Sequence, residues 1–240
     1  MNEQIRNALA RRILVLDGAM GTQIQNYGLS EDDFRGARFA DHPALLKGCN
    51  DVLCLTAPEK ISAIHRAYLG AGADIIETNS FNSNAVSLAD YALEGYVREI
   101  NLAAASLARQ EADRHTRLTG RECWVAGSVG PTNKTLSISA DVDDPAARAI
   151  DFDTLEAAYI DQISALIDGG VDIIQIETVF DTLNAKAAIA AVRKAEERTG
   201  RQVETAISCT LTQSGRTLSG QTLEAFVASI AHAKALAIGL

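Results

Sequence analysis

A chain of 240 residues with 47% hydrophobic side chains can bury a substantial core, enough for one α/β barrel or two smaller domains. Its 22 basic against 31 acidic residues give a formal charge of −9, which argues against a nucleic-acid surface, because phosphate binding needs clustered Lys and Arg. No apolar stretch approaches the length of a membrane-spanning helix, and the charged amphipathic opening at residues 1–12 lacks the apolar core of a secretory signal.

From residue 13 onward, short runs rich in Val and Ile recur at 13–16, 52–55, 74–76, 124–126, 171–176, 203–207 and 236–240. Between most of them lie stretches of helical spacing, at 58–71, 91–114, 154–169, 183–198 and 222–235. Nearly continuous apolar strands alternating with amphipathic helices predict a parallel sheet covered on both faces. Two segments repeat a signature, AGADIIET at 71–78 and GGVDIIQIET at 169–178. Each reads as a helix stopped by Gly in a left-handed cap, then a buried strand ending in Glu-Thr. An acid has no packing reason to end a buried strand, and in α/β sheets that end is where ligands bind.

Seven strand candidates in βα alternation suit a (β/α)8 TIM-type barrel better than a Rossmann sheet, and no GxGxxG follows any of them. The seventh candidate reaches the last residue, so the expected fold is one α/β barrel domain over residues 1–240, truncated on its C-terminal side with about seven strands present. The connections at 22–50 and 132–152 are long and leave the strands' carboxyl ends, where long ordered loops are usually functional.

Four residue groups carry candidate chemistry. Asp17, in Leu16-Asp17-Gly18-Ala19-Met20-Gly21-Thr22, ends the first run; it suits either the grip of an ammonium group or the N-cap of a following helix. Glu77 with Thr78 and Asn79, and Glu177 with Thr178, end two further strands. Two carboxylates around one mouth repel unless a cation, an amine or backbone amides sit between them, although capping and ion networks also use such acids. Ser128-Val129-Gly130-Pro131-Thr132-Asn133 is a small-residue corner that suits a carboxylate or another small anion, and equally an ordinary turn. Ser208-Cys209-Thr210 closes the sixth strand candidate.

Cys49, Cys54, Cys123 and Cys209 form no CxxC pair and have no His at ligand spacing, which fits reduced thiols in the cytoplasm. Cys54 and Cys123 read as small buried hydrophobes on strands. His42, His65, His115 and His232 are scattered without a nucleophile partner and read as surface or satisfied core residues. The mixed charges at 109–111 and 114–121 read as a solvated helix end.

The segments DGAMGT (17–22), GADIIETNSF (72–81), GSVGPTNKTLSIS (127–139), IETVFDTLNAKAA (176–188) and SGRTLSGQT (214–222) resemble the homocysteine-binding barrel of cobalamin-dependent methionine synthases, over nearly the whole chain. DGAMGT and the Glu-Thr strand ends are similar to the wider homocysteine methyltransferase family, including its betaine-dependent members. PTNKTLSIS, DTLNAKAA and GRTLSGQ resemble the cobalamin-dependent enzymes in particular. The resemblance implies that Asp17 and Glu177 hold the homocysteine amino group and that Gly18, Thr78 and Ser128 complete the pocket. It further implies a zinc ion held by three cysteines, one just after the seventh strand and two ending the eighth. A zinc-bound thiol is deprotonated, and the resemblance implies that the homocysteine thiolate takes a methyl group from cobalamin, which 5-methyltetrahydrofolate recharges.

None of the four cysteines matches those positions and Gly239-Leu240 is the last dipeptide, so neither a metal ligand nor a catalytic residue is assigned in this chain. Cys209 stands where the resembled family commonly has Gly, as a free thiol near the pocket or a packing residue. The expected partners are homocysteine and downstream folate-, cobalamin- and activation-domain modules of the same polypeptide, with no nucleic acid and no membrane. Taken alone, the fragment is expected to be inactive and to bind neither zinc nor cobalamin tightly. Two competing readings are a betaine- or sulfonium-dependent homocysteine methyltransferase and a non-catalytic binding fragment.

Overall fold

The computed structural model describes residues 3–240. Its centre is a parallel sheet of five strands in sequence order: β1 (Ile75–Glu77), β2 (Trp124–Val129), β3 (Ile173–Val179), β4 (Glu204–Cys209) and β5 (Ala237–Gly239). The connections carry α1 (Pro58–Ala71) before β1, then α2 (Val97–Thr119), α3 (Phe152–Gly169), α4 (Thr182–Thr199) and α5 (Leu223–Ile230) between successive strands. Every residue of β2 is buried, as expected for a strand covered on both faces.

Five strands, not seven, form among the described residues. The run at 52–55 is helical: a 3-10 turn at Asn50–Val52 leads into an α-helix at Leu53–Thr56. Its side chains Val52, Leu53 and Cys54 are buried in a cluster with Phe34, Leu46 and Ile61, away from the sheet. A four-residue apolar run does not by itself separate a buried helix from a strand. Residues 13–16 contribute one parallel bridge, Leu16 to Ile75, while Ile13 and Val15 remain exposed. The connection at 22–50 holds short helices at Met20–Gln25 and Glu31–Arg35. The start of α2 is delayed to Val97 by two 3-10 turns and a left-handed Ala92 (φ 53°).

Alternation along the strands sorts the side chains. Val125, Val129, Ile174 and Ile176 face the helices and join the main core with Leu155, Ile163 and Ala188. Trp124, Ala126, Ile173 and Ala206 turn the other way and pack around Ile5 of an N-terminal helix, Glu3–Leu9. That helix is fixed by a two-pronged ion pair, Arg6 Nε and Nη2 to Glu204 at 2.8 and 2.6 Å.

The repeated signature places its Asp at the amino ends of strands. Asp74 accepts the Val15 amide at 2.9 Å and both prongs of Arg12 at 2.7 and 2.9 Å. Asp172 accepts the Val125 amide at 2.9 Å and Arg109 at 2.8 Å. Arg109 and Glu111, expected on a solvated helix end, are therefore engaged: Glu111 is buried and accepts from Arg66 at 2.6 Å.

The glycines of the signature divide their work. Gly72 (φ 113°) and Gly170 (φ 100°) adopt the left-handed caps expected from the sequence. Gly169 is helical, and a Cβ there would lie 2.5 Å from the Ala105 Cβ of α2. The α2–α3 contact therefore depends on a missing methyl group. Gly169→Ala gains helix propensity but overpacks this contact, so a net loss of about 1–2 kcal/mol is expected. Chemical denaturation checks it, and an unchanged or raised midpoint would contradict the packing argument.

Candidate functional site

The face that carries Trp124, Ala126 and Ile173 continues, two residues at a time, to Glu77 on β1, Ser128 on β2 and Glu177 on β3. The period of two that buries the apolar residues below thus aims three polar groups at the carboxyl end of the sheet. Asp17 joins them from the segment beside β1, where its amide donates to Ile75 O at 2.9 Å. Its carboxylate accepts the Glu77 amide with both oxygens, each at 3.1 Å. The helix that follows begins at Met20 after Ala19 with no side-chain cap, so the capping role left open for Asp17 is not the one it plays.

A cavity of about 480 Å³ is lined by Gly18, Asp51, Glu77, Thr78, Asn79, Ser80, Ser128 and Glu177, among others. A second, of about 450 Å³, lies on the other side of Glu77 and Glu177 and reaches Thr178, Ser208 and Cys209. Among the described residues, no Lys, Arg or His lines either one. Burial pushes Asp17 up to about 7, helped by the charge of Glu177 and opposed by the Glu77 amide. Glu77 is also pushed up, by burial and by its two carboxylate neighbours. Burial raises Glu177 too, against a hydrogen bond donated by the Ser128 hydroxyl.

Thr78, Ser128 and Gly18 line the first cavity, and the polar atoms of the first two are engaged within the fold. Thr78 is buried; its hydroxyl accepts the Ser128 amide at 3.0 Å and lies 2.6 Å from the Ser80 hydroxyl. Ser80 in turn donates to Ser128 O at 2.8 Å. The Gly130 amide donates to Phe81 O at 3.0 Å, and a Cβ on Gly130 would meet that oxygen at 2.7 Å. The Ser128–Gly130 corner is thus knitted to residues 78–81. Gly18 is exposed at the rim against Tyr68, whose hydroxyl donates to Ala19 O at 3.2 Å.

Sequence reasoning did not single out Asp51. It is buried, lines the cavity, and accepts from the Asn82 amide at 3.0 Å and the Ser83 hydroxyl at 2.9 Å. A lone Asp in an apolar helical run carried no signal, since its partners lie about thirty residues away.

The profile of the family described as homocysteine S-methyltransferase matches residues 14–240. The chain belongs to the homocysteine S-methyltransferase family. Its fold is similar to that of the homocysteine methyltransferase MmuM from Escherichia coli. The metallated form gives a TM-score of 0.73 at 24% identity, covering 98% of this chain and 76% of that one. For the oxidized form the score is 0.75 at 24% identity, covering 99% and 76%, and for the apo form 0.66 at 23%, covering 96% and 73%. At these identities the likeness is one of fold.

Three stretches, 131–139, 181–188 and 215–221, converge on residues 180–184. Ser137 donates to Asp181 through its amide at 2.8 Å and its hydroxyl at 2.7 Å. Asn184 accepts the Leu136 amide at 2.9 Å and donates to Lys134 O at 2.8 Å. Ser219 donates to Phe180 O at 3.0 Å. The clasp sits just past an irregularity in β3, where Ile176 pairs with Ile207 but Val179 with Cys209. The extra residue is taken up by Thr178 at φ 58°, a strained conformation for a β-branched side chain. Glu177 and Thr178 consequently both border the second cavity.

All four cysteine thiols are free and buried, and burial pushes each of them up. Cys54 lies on a helix, not a strand, and Cys123 directly precedes β2. Cys209 combines both expected roles, packed in the main core while bordering the second cavity. Among the described residues no group of three His, Cys, Asp or Glu is placed to hold an ion, so these thiols do not assemble a metal centre. His65 departs from the satisfied-core reading: it is fully buried, neither ring nitrogen has a partner, and burial pushes it down to about 4.

Asp17 binds its proton more tightly in the folded protein than in the unfolded chain. Its contribution to stability is therefore fully present below its unfolded value near 4 and lost as pH rises through about 7. The protein is expected to be more stable at about pH 5 than at about pH 8, with a smaller difference in Asp17→Asn. Urea melts at both pH values check this; an equal difference in the variant would mean that Asp17 is not a source of it.

Proposed function

We propose that this chain is the homocysteine-binding domain of a cobalamin-dependent methionine synthase, with its sheet forming part of a (β/α)8-type barrel. The consecutive order of five parallel strands supports the barrel, and the clasp formed by 134–137, 180–184 and 219 supports the branch of the family. The observation that carries the substrate is the electrostatics of the cavity. Glu77 and Glu177 line both cavities, the Asp17 carboxyl lies against the Glu77 amide beside them, and no basic side chain among the described residues lines either space, which complements an amino acid's ammonium group. Glu177 and Asp17 hold the ammonium, while Gly18, Thr78 and Ser128 shape the wall behind it. Ser128 orients Glu177 through its hydroxyl.

No step through zinc is derived, because the cysteines of the described residues do not fit it. Cobalamin, in the resemblance, is carried by a separate module, and no residue here is assigned to it. The four free thiols suit the reducing cytoplasm. What the chain's own residues supply is capture and orientation: the acids hold the amino end, leaving the sulfur end free to point away from them.

Charge-assisted hydrogen bonds contribute about 1.5–3 kcal/mol each, so Glu177→Gln is expected to weaken L-homocysteine binding about 10- to 100-fold. Isothermal titration calorimetry measures it, and unchanged affinity would sink the assignment. Methionine formed by the protein from homocysteine and betaine or a sulfonium donor would overturn the cobalamin part alone.

A further inference from the structure

The three carboxyl groups at the cavity are not equivalent. Asp17 is held by the Glu77 amide on both oxygens, a bond that favours its ionised form. Glu177 is held by the Ser128 hydroxyl, again as acceptor. Among the described residues the Glu77 carboxyl has no such donor: only its backbone amide is engaged, and the side chain lines both cavities, repelled by the charges of Glu177 and Asp17. Asp51, the other titratable group on the same cavity wall, already accepts two hydrogen bonds of its own. Cys209 is the titratable group on the far cavity, and no Lys, Arg or His lines either space.

Three negative charges so placed are not tolerated in a partly desolvated pocket without a cation. The cluster retains a proton, and the proton resides on the member with the least stabilised anion. Asp17 and Glu177 are each stabilised by donors, and Glu77 is not.

We propose that Glu77 is the proton carrier of this pocket: a neutral carboxylic acid in the free protein, which gives its proton to solvent when the ammonium group of the amino acid enters between the carboxyls. The balance is simple. The neutral Glu77 acid and the ligand's ammonium cation become an ion pair of Glu77 carboxylate and ammonium, and one proton passes to the buffer. Capture is thereby coupled to proton release, and a ligand without a positive amino group fails to discharge the acid. This rests on the reading of the cavity as an amino-acid site and adds the residue that makes it selective for a cation. The direction in which burial and the neighbouring acids push Glu77 agrees with it.

Two measurements test it. The first needs no ligand: at about pH 8, where Asp17 is largely ionised, infrared difference spectra of the free protein should show a protonated-carboxyl stretch that Glu77→Gln removes. A band that survives unchanged in the variant would belong to another acid, Asp51 or Glu177, and overturn the inference. The second is calorimetry with L-methionine, whose thioether has no proton to lose, in two buffers of different ionisation enthalpy at the same pH. The wild-type protein should release ~1 proton on binding and Glu77→Gln close to none. Proton release absent from the wild type, or undiminished in the variant, would overturn the role of Glu77 and leave the amino-acid site standing. Failure of the wild-type protein to bind either L-methionine or L-homocysteine would overturn both.

Discussion

Side-chain alternation along parallel strands is the constraint from which the site follows. On β1, β2 and β3 one face starts with apolar residues packed around Ile5 and ends, two residues per step, in Glu77, Ser128 and Glu177. The apolar half of that face has a packing partner. The polar half has none, and the strand geometry leaves its acids no alternative direction. Asp17, threaded beside β1, makes the third carboxyl.

The two ends of the sheet treat acids in opposite ways. At the amino ends, Asp74 and Asp172 each meet a backbone amide and at least one arginine, so their charge is answered within the fold. Arginine and amide donors hold Asp74 down at about 2. At the carboxyl ends the acids gather without a cation, and burial with mutual repulsion pushes Asp17 and Glu77 up. One repeated signature, with Asp at its start and Glu at its end, therefore supplies a structural clamp and a cavity-facing acid from the same strand.

The strain at Thr178 belongs to the same arrangement. A left-handed β-branched residue costs on the order of 1–3 kcal/mol and persists only where its surroundings over-determine it. The over-determination comes from the clasp at Phe180, Asp181 and Asn184, which binds the 134–137 and 213–221 loops to the end of β3. The long connections are thus not loose appendages; their backbone and side-chain donors fasten residues 180–184, just past Thr178, to the end of β3.

Much of this was legible in the sequence, because it depends on local rules. The five long helices, the Gly72 and Gly170 caps and the five central strands follow from periodicity and from glycine's freedom at positive φ. The strand-end acids were legible as well, since an apolar strand gives a carboxylate no reason to be there. Of the residues that the family motifs pointed to, Gly18, Thr78, Ser128 and Glu177 line the cavity and Asp17 lies beside it. What depended on contacts between distant segments was not legible. Residues 52–55 became helical because they pack against Phe34 and Leu46, a choice no four-residue pattern encodes. Asp17 bonds the Glu77 amide instead of capping its own helix, and Asp51 acquires its partners from residues 82 and 83. Which of the three acids lacks a donor was likewise decided only when β1, β2 and β3 came side by side, because a proton's location depends on the distances between charges and on burial, and a linear chain specifies neither.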